Sequence, residues 1–254
     1  LSEMIAFAKE VPLEELRFLQ DGIDMNMAVA QEGLKFGLGR AVDMLIRQGA
    51  IGDSPVSRAE KLCAAASYAR MSGVSMPVMT ATGSGNQGIT LLLTIEGVAQ
   101  AMGIDEETKL RAAALANLIN IYVKTFTGTL SAVCACGVAS GLGASVGVVY
   151  MLGGGEKQML FAMQNILGSI CGMICDGAKE GCASKVQLSS GLAVKAAFLA
   201  MNGMGIRGGD GIVGTRGLSS LFENLGHLVR EGMENTNSVI VEIMSGNEDC
   251  RDRA

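Results

Sequence analysis

The chain has no tryptophan, one histidine, three prolines and three tyrosines. Each scarcity removes a class of explanation. With His227 as the only imidazole, no site needing two histidines can be built from this chain, and a Ser–His–Asp triad would have to use it. His227 lies in "FENLGHLVREG", whose spacing predicts an amphipathic helix with the imidazole on its surface. Few prolines among many Ala, Leu and Met residues favour helices, which leaves the 35 glycines for turns and close helix contacts. No Lys/Arg-rich run exists, charged residues make up 18% and the net charge is −5. Nucleic acid and anionic membrane surfaces are therefore not expected as partners. The seven cysteines include no C-x-x-C pair, so the twin knuckles of a structural zinc ribbon are missing. Their uneven clustering is unlike the framework of a small secreted domain, and a reducing cytoplasm is the expected compartment. Leu1 opens the chain with no basic stretch ahead of an apolar one, so it reads as a processed or truncated piece without a signal peptide.

What is present is helical. "VPLEELRFL" opens a helix with Pro12 near its first position and Glu14 and Glu15 in its first turn. The stretch "DMNMAVAQEGLKFGLGRAVDMLIRQGA" keeps helical spacing to Gly49, and "SRAEKLCAAASYARMSG" predicts an alanine-rich helix with Cys63 on its apolar side. "IDEETKLRAAALANLINIYVK" is a helix capped by Asp105, with Glu106 and Glu107 favouring its N-terminal dipole. Residues 125–155 then carry no charge, nor do residues 158–175. Both runs have the length of a membrane span. The first is mostly Gly, Ala, Ser and Thr, and neither is framed by basic loops or an aromatic belt, so buried core helices are expected instead. Gly143 and Gly147, four apart, suit close helix approach. The expectation is an all-α fold, one compact domain over residues 1–254 with Gly/Ala-rich helices at its centre. "SVIVEIM" near the end has the β-branched content of a strand and is left open.

Three segments carry chemistry. "TATGSGNQGIT", residues 80–90, is a glycine-rich loop running into a helix. Backbone N–H groups and the positive helix end would face a carboxylate or phosphate there, with Ser84, Gly85, Asn86, Gln87 and Gly88 as the binding residues. Without a lysine, a nucleotide phosphate is the weaker ligand, and a plain helix start accounts for the same residues. "NGMGIRGGDG" contains G-x-G-x-x-G, but it follows a helical segment, which makes it a connector and no dinucleotide fingerprint. The third is the cysteine set: Cys134 and Cys136 in "SAVCACGVASG", and Cys171, Cys175 and Cys182 in "GSICGMICDGAKEGCASK". Thiols in dry, glycine-rich surroundings suit an iron–sulfur cluster, with ordinary burial as the alternative. Cys171 and Cys175 would share a helix face if the helix lasts, and Gly177 and Gly181 would break it before Cys182.

"PVMTATGSGNQGI", "LSAVCACGVASGLGASVGVVYMLGG" and "GMICDGAKEGCASK" closely resemble the L-cysteine desulfidase family, whose members are related to the alpha domain of iron–sulfur L-serine dehydratases. "AVAQEGL" and "GIVGTRG" extend the resemblance over nearly the whole chain. It implies a lyase that converts L-cysteine to pyruvate, sulfide and ammonia, using a [4Fe–4S] cluster instead of pyridoxal phosphate. The family's cluster ligands correspond to Cys134, Cys175 and Cys182, with Cys136 the second match for the first position; Cys171 matches none and is assigned to packing. The "GSGNQG" loop would hold the substrate carboxylate, and Lys124 and Lys179 are the candidates for the base that takes the α-proton. Thiol and hydroxyl substrates are not separated by these residues, so L-serine dehydration is the alternative, beside a non-enzymatic helical domain with core thiols. Family members carry an N-terminal region with a "GCTEP"-like motif that this chain lacks, so that region is expected as a partner, as is a second copy of the chain. Tyr68 and Thr129 stand where an acid and an arginine are expected. Cys250 could imitate the C-terminal cysteine with which serine dehydratases reach their cluster.

Overall fold

Ser54 shows how local chemistry sets the helices. Its hydroxyl accepts from the Ser57 backbone N–H at 3.2 Å, while the Ser57 hydroxyl accepts from the Ser54 N–H at 2.9 Å. Pro55 follows at the first helical position, where its missing N–H costs nothing. Replacing Ser54 with alanine is expected to lower stability by about 1 kcal/mol, seen as a lower urea midpoint at unchanged slope.

The computed structural model describes the backbone of residues 1–251 and side chains through residue 246. Eleven α-helices run in order among the described residues: α1 (Ser2–Glu10), α2 (Arg17–Gly33), α3 (Gly37–Arg47), α4 (Pro55–Met71), α5 (Gly85–Met102), α6 (Glu106–Thr127), α7 (Val138–Met151), α8 (Glu156–Ile170), α9 (Cys182–Met201), α10 (Gly217–His227) and α11 (Thr236–Arg251). A 3₁₀ turn, Leu13–Leu16, precedes α2, and a π-helical turn, Leu228–Gly232, extends α10. No strand occurs among the described residues, only two isolated bridges, so the fold is all-α. "SVIVEIM" is accordingly helical, within α11. A strand there would have no neighbour to pair its backbone groups.

α7 is the centre. Every residue from Val138 to Met151 is buried except Tyr150, and α5, α6, α8 and α9 pack around it. A Cβ on Gly143 would sit 2.4 Å from the Ala116 carbonyl oxygen, which is why α6 can approach so closely only at a residue without one. Among the described residues no helix is long and apolar enough to cross a membrane. Residues 138–151 of the uncharged run are largely buried helix, as its small residues imply, whereas residues 128–137 form a loop on which Leu130 is 92% exposed. Phe222 of α10 anchors the periphery against Tyr122 and Phe126, with ring centroids 5.6 and 5.9 Å away.

Two elements depart from the sequence expectation. The segment read as continuous to Gly49 breaks after Gly33 into α2 and α3, where Gly37 takes a left-handed φ of 56°. The second uncharged run leaves its helix at Ile170, so Cys171 and Cys175 do not share a helix face. The "NGMGIRGGDG" segment is a connector after α9, tied down by Asn165 of α8, whose amide oxygen accepts from Ile206 N at 3.0 Å.

Candidate functional site

The site begins with two loops that hydrogen-bond across a short antiparallel bridge between Val133 and Ile174. Cys134 N donates to Met173 O and Cys175 N donates to Ala132 O, each at 2.7 Å. This pairing pulls the chain out of α8 and sets Cys134 and Cys175 on neighbouring backbones. Cys136 ends the first loop one residue before the cap of α7, and Cys182 is the first residue of α9. The third wall is the start of α5. Ala81 and Ser84 exchange backbone hydrogen bonds across Thr82 and Gly83, which both have positive φ, 47° and 82°. That is the geometry of a tight mirror-image turn, and Thr82 is held in it at some conformational cost.

These walls enclose a cavity of about 440 Å³, lined by Cys134, Cys136, Cys175 and Cys182 and by Ser84, Asn86 and Gln87. Thus α5, α7 and α9 all begin beside it, and three positive helix ends favour negative charge there. Ser84 caps α5 and touches the thiol of Cys136, Oγ to Sγ 3.5 Å. Asn86 and Gln87 are each 3% exposed. The Gln87 oxygen accepts from Thr82 Oγ1 at 2.7 Å and from Asn120 Nδ2 at 3.2 Å, and Ser140 Oγ donates to Asn120 Oδ1 at 3.3 Å. This buried chain of polar groups fixes the rotamer of Gln87. Gly85 has a first-turn backbone N–H, but the Gly88 N–H is already spent on Ser84 O at 3.2 Å, so Gly88 shapes the helix start and does not donate to a ligand as the sequence suggested.

The neighbouring Cys136 thiol, with burial, pushes the Cys134 thiol well above the ordinary range. Cys136 is drawn below its usual value by Cys134 and Ser84, against the cost of burial. Burial pushes the ammonium of Lys124 down, opposed by the charges of Cys136 and Cys175. Lys124 is 9% exposed, and its Nζ donates to Thr129 O at 2.7 Å. Lys179 lies elsewhere: it is exposed and paired with Asp176, Nζ to Oδ2 2.6 Å. Asp176 also holds Lys185, whose Nζ donates to Ile174 O at 2.8 Å, so one carboxylate braces the second thiol loop.

Burial opposes the charge on Asp176, but hydrogen bonds from Lys179 and Lys185 outweigh it and lower its pKa from 3.8 to about 2. A depressed carboxyl pKa means that the brace is present above pH 3.8 and is lost as pH falls through about 2. A carboxyl NMR titration of Asp176 is expected to show that midpoint near 2, and Lys185→Met to move it back toward 3.8.

The remaining cysteines stand apart. Cys63 is fully buried in α4 near Thr94, its thiol pushed up to about 12 by burial. Cys171 lines a different cavity, with His227 and Asn224. His227 itself is exposed and meets Glu231 at 3.0 Å. The side chain of Cys250 lies outside the described residues. Two residues, one in the cavity wall and one on the loop behind it, gave no sequence signal. Arg70, in the last turn of α4, lines the cavity and donates from Nη1 to Asn86 Oδ1 at 3.3 Å. Glu180 accepts from Tyr68 at 3.2 Å and from Ser72 at 3.0 Å, tying the second thiol loop to the end of α4.

Among the described residues no group of three or more His, Cys, Asp or Glu side chains is placed to hold a metal ion. Four thiols do border one cavity, and thiolate is the ligand type an iron–sulfur cluster takes.

An all-helical domain with thiols ringing a helix-start cavity defines the class. Residues 2–242 match the serine dehydratase alpha chain family, and the chain belongs to it. It is 42% identical over 96% of its length to a UPF0597 protein of Desulfatibacillum aliphaticivorans, covering 56% of that protein. It is 41% identical to a UPF0597 protein of Alkaliphilus metalliredigens, covering 55% of it, and 38% identical to one of Clostridioides difficile, covering 58%. The chain thus spans little more than half the length of the curated relatives it matches. No solved structure matches it.

Proposed function

We propose that the thiol cavity is the active site of an iron–sulfur-dependent lyase that converts L-cysteine to pyruvate, sulfide and ammonia. The observation that carries this reading is the meeting of four thiols and the α5 start on one cavity. Cys134, Cys175 and Cys182 would hold a [4Fe–4S] cluster, with Cys136 as the other match for the first position. Bound there, the cluster supplies a Lewis-acidic iron with an open position.

The chain's own residues do the rest. The backbone N–H of Gly85, with Ser84, Asn86 and Gln87, holds the α-carboxylate and so fixes the β-carbon beside the thiols. Lys124 Nζ, driven toward its neutral form by burial, is the better placed candidate to accept the α-proton. Lys179 is the weaker one, since Asp176 occupies it. Loss of that proton and of the β-thiol leaves an enamine, whose imine form water hydrolyses to pyruvate and ammonia. L-Serine, losing water in place of sulfide, is the second reading, favoured by the family the chain belongs to. Under either reading the partners are a small amino acid, the rest of the longer protein and a second copy of the chain, in a reducing cytoplasm.

The test is anaerobic reconstitution with iron and sulfide, then pyruvate release from L-cysteine and from L-serine, on this chain and on a full-length relative. Faster turnover of cysteine is expected. Reconstituted protein that turns over neither substrate in either form overturns the reading.

A further inference from the structure

Around this cavity the positive charges are nearly all assigned. Lys124 Nζ is spent on Thr129 O at 2.7 Å, and Lys185 Nζ on Ile174 O at 2.8 Å. Lys185 is also paired with Asp176. Arg70 is left over. It lines the cavity, is half-buried, and among the described residues has no carboxylate within 4.0 Å. Glu180 of the facing loop is taken by Tyr68 and Ser72, the residues two before and two after Arg70. Of the five N–H groups of the guanidinium, only those on Nη1 have protein acceptors, Asn86 Oδ1 at 3.3 Å and the soft sulfur of Met71 at 3.8 Å.

The guanidinium lies directly on the first turn of α5. A Cβ at Gly85 would be 2.5 Å from Arg70 Nε, so the absence of a side chain there is what admits it. Beside it, Asn86 and Gln87 spend their amide oxygens on protein partners, Asn86 on Arg70 and Gln87 on Thr82 and Asn120. Their amide nitrogens have no acceptor among the described residues, although both side chains are buried and line the cavity. A planar cation, two unpartnered amide donors and a helix start therefore border one space, and all of them donate. The ligand they lack is a small planar anion with several acceptor lone pairs.

We propose that Arg70 is the cation that binds the α-carboxylate of the substrate, with the Asn86 and Gln87 amides and the α5 backbone completing a carboxylate subsite in the thiol cavity. The subsite deepens the lyase reading, which supplies the amino-acid class of the ligand.

The test uses L-alanine, which carries the carboxylate but no β-leaving group, and L-alaninamide, which lacks the charge. Binding to anaerobically reconstituted chain is measured by calorimetry for wild type, Arg70→Gln and Arg70→Lys. L-Alanine is expected to bind wild type roughly 10- to 100-fold more tightly than Arg70→Gln, with Arg70→Lys between. L-Alaninamide is expected to bind all three weakly and alike. Iron content and helical circular dichroism are expected to match across the three, and Arg70→Lys shows that the position tolerates change. Equal affinity of wild type and Arg70→Gln for L-alanine, or no binding to wild type, overturns the subsite. The two proposals fail separately. Arg70-dependent L-alanine binding in protein that releases no pyruvate retires the lyase and keeps the subsite. Pyruvate release with KM unchanged in Arg70→Gln retires the subsite and keeps the lyase.

Discussion

Serine at Cys175 or Cys182 is expected to strip the reconstituted chain of iron, from about four atoms per chain, as a [4Fe–4S] centre holds, to fewer than one. Pyruvate release should fall by more than about 100-fold, beyond the roughly 10- to 100-fold cost of disturbing groups one step removed from a metal. Serine differs from cysteine by one atom, and the bridge that positions both loops is made by backbone groups, Cys134 N to Met173 O and Cys175 N to Ala132 O. The helical circular dichroism should therefore be unchanged, so that loss of iron reports loss of a ligand. Cys171→Ser is the internal control, because Cys171 lines another cavity; it is expected to keep its iron. The adjacent pair decides the first ligand position. Cys134→Ser should lose the cluster and Cys136→Ser should retain it; the reverse would move the ligand to Cys136, the thiol beside Ser84. Iron retained by both Cys175→Ser and Cys182→Ser would remove the metal-binding role from these thiols, of which only Cys134 is buried.

The sequence speaks clearly where the determinant is local. Asp105 caps α6 by accepting from Thr108 N at 2.9 Å, and Ser84 starts α5, both legible because a cap and its helix are neighbours in the chain. The uncharged stretch around Gly143 and Gly147 was legible as buried because it carries no charge for water, lacks the dense Leu, Ile and Phe of a lipid-facing span, and has no basic loops or aromatic belt beside it. What could not be read came from contacts far apart in sequence. The end of α8 is set by the pairing of Val133 with Ile174, 41 positions away, and nothing within residues 158–175 announces it. Arg70 ends an alanine-rich helix like many solvated arginines, and only the packing of α4 against α5 turns it into the cavity. Glu180 and Tyr68 meet across 112 positions. The loop residues of the site were therefore visible as chemistry, while the helix residues that complete it were visible only in space.

Alanine at Gly88 is expected to be the most disruptive one-methyl change near the site. Its Cβ would lie 2.0 Å from the carbonyl oxygen of Met79, closer than any side chain tolerates, and 3.1 Å from the carbonyl carbon of Thr80, which is tight. The obstacle is backbone, which cannot rotate aside as a side-chain tip can. Nor can Met79 retreat cheaply, because the buried amide of Asn26 grips it from the other side, accepting from Met79 N at 2.9 Å and donating to Met79 O at 3.4 Å. Relief requires either breaking both of those hydrogen bonds or shifting the first turn of α5. Overpacking of this kind costs about 1–3 kcal/mol, and the buried amide adds about 1–3 kcal/mol if it is left unpaired. Gly52→Ala is the matched control, since a Cβ there meets nothing within 4 Å, and its urea midpoint should hardly move. The site should suffer as well as the fold. The turn through Thr82 and Gly83 hangs on the segment that Gly88 admits, and Thr82 sets the Gln87 rotamer. In Gly88→Ala the Gln87 and Asn86 donors lose their alignment, so L-alanine binding is expected to weaken by at least tenfold in whatever fraction remains folded. Folded Gly88→Ala protein that binds L-alanine as wild type does would show that the start of α5 does not hold the carboxylate.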